Sequence, residues 1–234
     1  MIVIRSSIFF LLQLLITPIF TLIAILTFPF HPITRYRIIS GWALTMMWLL
    51  KALCGIRMEV LGAENIPTQP RILLCKHQSA WETIALQKVF PPQVWVLKRE
   101  LLWLPFFGWG LAMTSPIAIK RSDGKGAVKQ LLRQGKERLE MGFCVVIFPE
   151  GTRIAYGKRG KYKIGGALLS ESAGVPIVPI AHNAGKLWGR NSFLKRPGVI
   201  TMSIGQPIDP AGHKAEEINR LAEEWIEAEV LRIK

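Results

Sequence analysis

His77 and Glu82 stand five residues apart in the stretch Lys76-His77-Gln78-Ser79-Ala80-Trp81-Glu82, directly after the apolar run Ile72-Leu73-Leu74-Cys75. An imidazole can take a proton from a hydroxyl at neutral pH, provided its other nitrogen is held. A carboxylate at this spacing can do the holding, as the acid does in a serine-protease triad. The pair comes without a nucleophile of its own, so the hydroxyl it activates would belong to a substrate. Ser79 and Glu82 also read as a capping box, S-x-x-E, opening a helix over 83–88. The two readings assign Glu82 different work, and the spacing alone does not choose between them.

Two cationic elements accompany the pair. Lys98 and Arg99 follow the β-like run 94–97, and Pro149-Glu150-Gly151-Thr152-Arg153 follows the run 144–148. Arg153 offers a planar fork of donors suited to a pair of phosphate oxygens, and Lys98 offers a point charge. Gly151 allows close backbone approach, and Thr152 adds a hydroxyl donor. Glu150 could pair with Arg153 across the turn. Side chains alternate along a strand, so Lys98 and Arg99 are not expected to face one site together.

These residues need a frame. Seven runs read as strands: 57–61, 71–75, 94–97, 117–119, 144–148, 177–180 and 199–204. Helical patterns at 81–89, 126–141, 165–173 and 215–232 alternate with them. Val128, Leu131, Leu132 and Leu139 give the second of these an apolar stripe. The alternation predicts an α/β fold with a largely parallel sheet flanked by helices. Ligands in such sheets bind beyond the carboxyl ends of the strands. His77, Lys98 and Arg153 would therefore converge on one edge.

The N-terminal part has a different texture. No Lys, Arg, Asp or Glu occurs from Ser6 to Thr34, and a hydrocarbon core takes about 20 apolar residues to cross. Pro29 and Pro32 break this stretch. A second apolar segment, 38–50, lies between Arg37 and Lys51 and is thirteen residues long, nearer a re-entrant or interfacial helix. Two spans would put Arg35 and Arg37 on the opposite side from Lys51 and Arg57, against the positive-inside tendency. The expectation is a two-helix membrane-embedded hairpin at 1–56, with Trp42 and Trp48 at the interface, and a second unit at 57–234.

Half of the residues are hydrophobic while the formal net charge is +14. That balance suits a protein seated on anionic membrane lipids. Nucleic acid is not expected, since zinc-finger spacing, a basic region with heptads and aromatic ribonucleoprotein motifs are all absent. The three cysteines, Cys54, Cys75 and Cys144, have no metal spacing and are expected to be reduced, buried thiols.

The chain resembles the glycerolipid acyltransferase family, and most of all its members that acylate lysophosphatidate. Four blocks carry the resemblance in order: Lys76 to Glu82, the run from Lys98-Arg99-Glu100 through Pro105-Phe106-Phe107-Gly108, Phe148-Pro149-Glu150-Gly151-Thr152-Arg153, and Val175-Pro176-Ile177-Val178-Pro179-Ile180. The family's first block ordinarily ends in Asp, and here it ends in Glu82. The resemblance implies that His77 is the base and Glu82 its partner. It implies that Lys98 or Arg99, with Arg153, bind the acceptor phosphate while Glu150, Gly151 and Thr152 complete that turn. The implied reaction moves an acyl group from acyl-CoA or acyl carrier protein to the sn-2 hydroxyl of lysophosphatidate, giving phosphatidate. No cofactor, metal or covalent intermediate is called for. Lys158, Arg159, Lys161 and Lys163 suit either donor, since both are acidic. The apolar residues 101–113 and 175–180 are candidates for an acyl tunnel or for core.

The expected location is the inner (cytoplasmic) membrane, with the catalytic unit facing the cytoplasm. Rival readings are a sister enzyme acting on glycerol 3-phosphate or another lysolipid, and a non-catalytic lipid-binding anchor. A serine hydrolase is disfavoured because no G-x-S-x-G elbow occurs; Ser203 lacks the leading glycine. His31, His182 and His213 lack an acid in a matching block.

Overall fold

A computed structural model describes residues 1–66 and 68–233. The chain opens with α1 (Ile2–Leu26), which runs through Pro18, followed by α2 (Pro32–Ile39) and α3 (Gly41–Cys54). Pro32 sits at the first position of α2, where its missing N–H is no loss. Gly55 ends α3 with φ 68°, a left-handed cap that a side chain would strain.

Then come β1 (Ile56–Leu61), β2 (Ile72–Cys75), α4 (Trp81–Val89), β3 (Gln93–Lys98), α5 (Phe107–Ala112), β4 (Ile117–Ile119), α6 (Lys125–Glu140) and β5 (Cys144–Ile147). The chain ends with α7 (Gly165–Ala173), β6 (Ile177–His182), α8 (Ala184–Leu187), β7 (Gly198–Ile204) and α9 (Ala215–Arg232).

The strands form one sheet in the order β1-β7-β6-β2-β5-β3-β4. From β6 to β4 all neighbours are parallel; β7 turns antiparallel to β6, and β1 is parallel to β7. The largely parallel sheet predicted from the alternation of elements is thus present, with a reversed two-stranded margin. β2 and β5 are buried along their whole length. That is why Ile-Leu-Leu-Cys and Cys-Val-Val-Ile are unbroken apolar runs: a central parallel strand is covered on both faces.

Helix positions follow from strand order. The crossover β2-α4-β3 moves across the sheet in one direction, whereas β4-α6-β5 and β5-α7-β6 move in the other. Right-handed connections place α4 on the opposite face from α6 and α7. In α6 the buried residues Ala127, Leu131, Gly135 and Leu139 recur every four positions. A Cβ at Gly135 would lie 2.6 Å from Leu169 of α7, so glycine permits this close helix crossing.

The hairpin of α1 against α2 and α3 is antiparallel, as the bonds from Trp42 Nε1 to Thr17 Oγ1 (3.1 Å) and from Cys54 Sγ to the Arg5 carbonyl (3.9 Å) require. Its inner face, including Phe9, Met46 and Leu50, belongs to the same apolar core as Ile72 and Leu73. The outer face of α1 exposes Ile4, Leu11, Leu15, Ile19, Leu22 and Leu26. By length and composition α1 and the 23 residues Pro32–Cys54 are each apolar enough to cross a membrane. The second segment is therefore longer than the thirteen residues expected, and the length argument against a span does not hold for it. Its charged ends, Arg35, Arg37 and Lys51, are carried inside the helices rather than bounding them. All three cysteines are free and buried.

Candidate active site

The neighbours β2 and β5 are followed by connections that leave toward opposite faces, so a crevice opens beyond their carboxyl ends. His77 follows β2, and the turn Phe148 to Arg153 follows β5. The two loops are tied together: the Ile154 N–H donates to the His77 carbonyl (2.8 Å), and the His77 ring stacks on Phe148 with centroids 4.1 Å apart.

His77 Nδ1 lies 2.8 Å from Glu82 Oε1. A carboxylate can only accept, so Nδ1 carries the proton and Nε2 is left as the basic nitrogen. The same oxygen accepts the N–H groups of Gln78 (3.0 Å) and Ser79 (2.9 Å), and Ser79 Oγ accepts the Trp81 N–H. Glu82 therefore holds the backbone that leads into α4, through the Ser79 half of the S-x-x-E box, and holds His77 at once. Burial pushes its carboxyl up, and the neighbouring imidazoles His182 and His77 and the Ser79 amide outweigh that, keeping it below the usual carboxylate range.

Glu82→Gln tests this double use. The amide oxygen can still accept the backbone N–H groups, but the charge facing an imidazolium is gone. A charged hydrogen bond is worth about 1.5–3 kcal/mol, so turnover should drop about ten- to a hundredfold in steady-state assays. The same pair stabilises the fold above the ordinary carboxylate range, and that stability is lost as pH falls through the lowered value. The thermal midpoint of Glu82→Gln should consequently fall less, relative to the parent, in acid than at pH 8.

Under the loop lies a buried charge cluster. Lys76 Nζ is 2.7 Å from Glu150 Oε1 and 2.6 Å from Glu227 Oε1 of α9, with no side-chain exposure for Lys76 or Glu150. Glu150 Oε2 accepts the His77 N–H at 2.9 Å, and Tyr162 donates to Glu227 at 2.9 Å. Glu150 is thus a support of the histidine loop. The alternative of a pairing with Arg153 gives way to Lys76, and a carboxylate committed in this way is not placed to meet a phosphate, the role the resemblance implied for it. Burial raises its carboxyl, against the pull of Lys76.

A cavity of about 410 Å³ opens in front of His77. Lys98, Arg121 and Arg153 supply its cations, and Ile84, Trp95, Leu101, Phe107 and Leu111 much of its apolar wall. Gln13, Thr17 and Thr21 of α1 line it at helical spacing, so the face of α1 turned from solvent forms part of the site. Of the two cations expected after β3, Lys98 lines the cavity and Arg99, in the following turn, does not. Thr152 is exposed and off the cavity wall. Gly151 adopts φ 66° with Lys163 above it, where a Cβ would be 2.9 Å from Nζ. Arg121, which sequence reasoning missed, donates to the Gly151 carbonyl. It follows β4 just as Lys98 ends β3, so the strand-end rule applied there would have found it. Of the candidate tunnel residues, Leu101, Phe107 and Leu111 line the cavity, whereas Ile177 to Ile180 are sheet core.

A family model described as Acyltransferase matches residues 57–183. The chain belongs to the acyltransferase family. It is 45% identical over 228 residues to the 1-acyl-sn-glycerol-3-phosphate acyltransferase of Pseudomonas aeruginosa, covering 95% of this chain and 89% of that one. It is 32% identical over 205 residues to the human 1-acyl-sn-glycerol-3-phosphate acyltransferase alpha, covering 86% of this chain and 72% of that one. The fold matches the crystal structure of the 1-acyl-sn-glycerophosphate acyltransferase PlsC from Thermotoga maritima, with a TM-score of 0.83 at 20% identity over 99% of this chain and 95% of that one. The span matched to the acyltransferase family holds His77, Glu82 and all three cavity cations. Two supports of this acyltransferase lie outside it: the cavity-lining face of α1, and Glu227 of α9.

Proposed function

We propose that this acyltransferase moves a fatty acyl group from an acyl thioester to the sn-2 hydroxyl of lysophosphatidate, giving phosphatidate. One observation carries the reading: a single cavity joins a carboxylate-held imidazole, three cations and a long apolar wall. The acceptor's phosphate sits on Lys98, Arg121 and Arg153, and an acyl chain follows the wall toward α5. His77 Nε2 takes the proton of the sn-2 hydroxyl as its oxygen attacks the thioester carbonyl. Collapse expels the thiolate, which takes that proton back from His77. Glu82 stabilises the transient imidazolium. This scheme asks for no cofactor or metal.

The exposed apolar face of α1 suits lipid, as do Trp103, Leu104, Phe106 and Trp109 around α5. We place the protein on the cytoplasmic face of the inner membrane, where anionic lipids would meet its cations. The donor is an acyl-CoA or acyl carrier protein.

Purified protein assayed on lysophosphatidate, glycerol 3-phosphate and a zwitterionic lysolipid, with each donor, tests the reading. Lysophosphatidate should give the highest kcat/KM; preference for glycerol 3-phosphate or the zwitterionic acceptor sinks it. Arg153→Lys keeps charge without the fork, and Arg153→Ala loses both. Acceptor kcat/KM should fall in that order, about ten- to a hundredfold for Ala. The donor's KM should barely move.

A further inference from the structure

A second histidine is buried behind the first. His182 ends β6, the neighbour of β2, and has no solvent exposure. Its Nδ1 accepts the Ala184 N–H at 3.2 Å, so its single proton is on Nε2. That Nε2 is 2.8 Å from the Lys76 carbonyl and 3.8 Å from Glu82 Oε2. Oε2 is buried and, among the described residues, has no hydrogen-bond partner. A carboxylate oxygen stripped of water in this way is costly unless a dipole faces it. The His182 N–H is such a dipole.

We propose that His182 is a positioning residue for acyl transfer, acting through Glu82: its Nε2–H donates to the Lys76 carbonyl with the free oxygen of Glu82 3.8 Å away, and so holds the backbone that carries His77 while opposing the charge of the carboxylate that orients it. The inference rests on the reading of His77 and Glu82 as base and partner. His182 stays neutral, since burial holds it below the ordinary imidazole value. The charged or titratable groups that face it are Glu82, His77 and Lys76. Cys75, on the adjacent strand, is kept protonated by burial.

With the N–H dipole removed, the charge on Oε2 is less opposed, and Glu82 holds the imidazolium of His77 more tightly. The acid limb of the kcat/KM profile, which reports protonation of the base in the free enzyme, then moves to higher pH. Looser placement of the base lowers kcat.

His182→Leu should lower kcat about ten- to a hundredfold, leave both KM values within about twofold, and shift the acid limb upward. His182→Gln restores an N–H without a titrating ring and should return kcat to within about fivefold, with the limb back in place. If the Leu variant does not fold, His182→Asn, too short to reach Oε2, should show the same upward shift. The inference is overturned by normal kcat with an unmoved limb, or by Leu and Gln being equally slow with unmoved limbs, which is packing alone. His77→Ala run beside them separates the causes. An inactive His77→Ala with a normal His182→Leu removes only the His182 role, whereas an active His77→Ala removes the base reading and this one with it.

Discussion

His77→Ala should leave a folded, membrane-associated protein whose acyl transfer is slower by about 10²–10⁴-fold, the range that a positioned general base supplies. Among the described residues, the ring is the only group in the cavity that has both an acceptor nitrogen and a carboxylate behind it. Removing it leaves the three cations and the apolar wall untouched, so KM for acceptor and donor should change little. The residual rate is what substrate alignment alone provides. Stability should drop by about 1–3 kcal/mol, because buried Glu82 loses the His77 ring but keeps the Gln78 and Ser79 amides, and the Phe148 ring loses its stacking partner. Steady-state kinetics together with a thermal melt decide the matter. Turnover near that of the parent would remove the mechanism, while a melt collapsed along with the rate would make His77 structural.

What could be read from the amino acids divides along physical lines. All seven strands were legible: the central parallel ones as buried apolar runs bounded by turn residues, and the edge strand β1 by alternation, with Arg57 and Glu59 turned outward. The direction of β1 and β7 was not, since a strand's own pattern carries no sign of which way its neighbour runs. The second N-terminal helical segment was read as 38–50 because Arg37 and Lys51 looked like boundaries; long basic side chains can instead lie along a helix with their heads in water. At the site, the spacing of His77 and Glu82 gave two readings that seemed to compete. The structure satisfies both through one oxygen, because the backbone of Gln78 and Ser79 turns over the carboxylate. Glu150 was misplaced for a related reason: its partner Lys76 lies 74 positions away in sequence, and nearest-neighbour pairing with Arg153 was the only local option. Glu227, 151 positions from Lys76, left no local trace at all.

That long-range cluster makes the next largest effect one of stability. Lys76→Met keeps most of the length of the side chain and removes its charge, leaving, among the described residues, Glu150 with no counter-ion at 0% exposure and Glu227 with only the Tyr162 hydroxyl. Breaking a buried ion pair from one side costs about 3–5 kcal/mol, because the remaining charge keeps its desolvation penalty without its partner. Urea unfolding in detergent should register that loss at pH 8. The deficit should shrink in acid: the Glu150 carboxyl, already raised by burial, rises further without Lys76 and takes up a proton, which removes the unpaired charge. Glu150→Gln with Lys76→Met should recover part of the loss at pH 8, since no bare carboxylate is then left beside the His77 backbone. A pH-independent deficit in Lys76→Met would mean that the lysine stabilises by packing rather than by charge. In that case the bond from Glu150 to the His77 N–H, and not the ion pair, is what secures the catalytic loop.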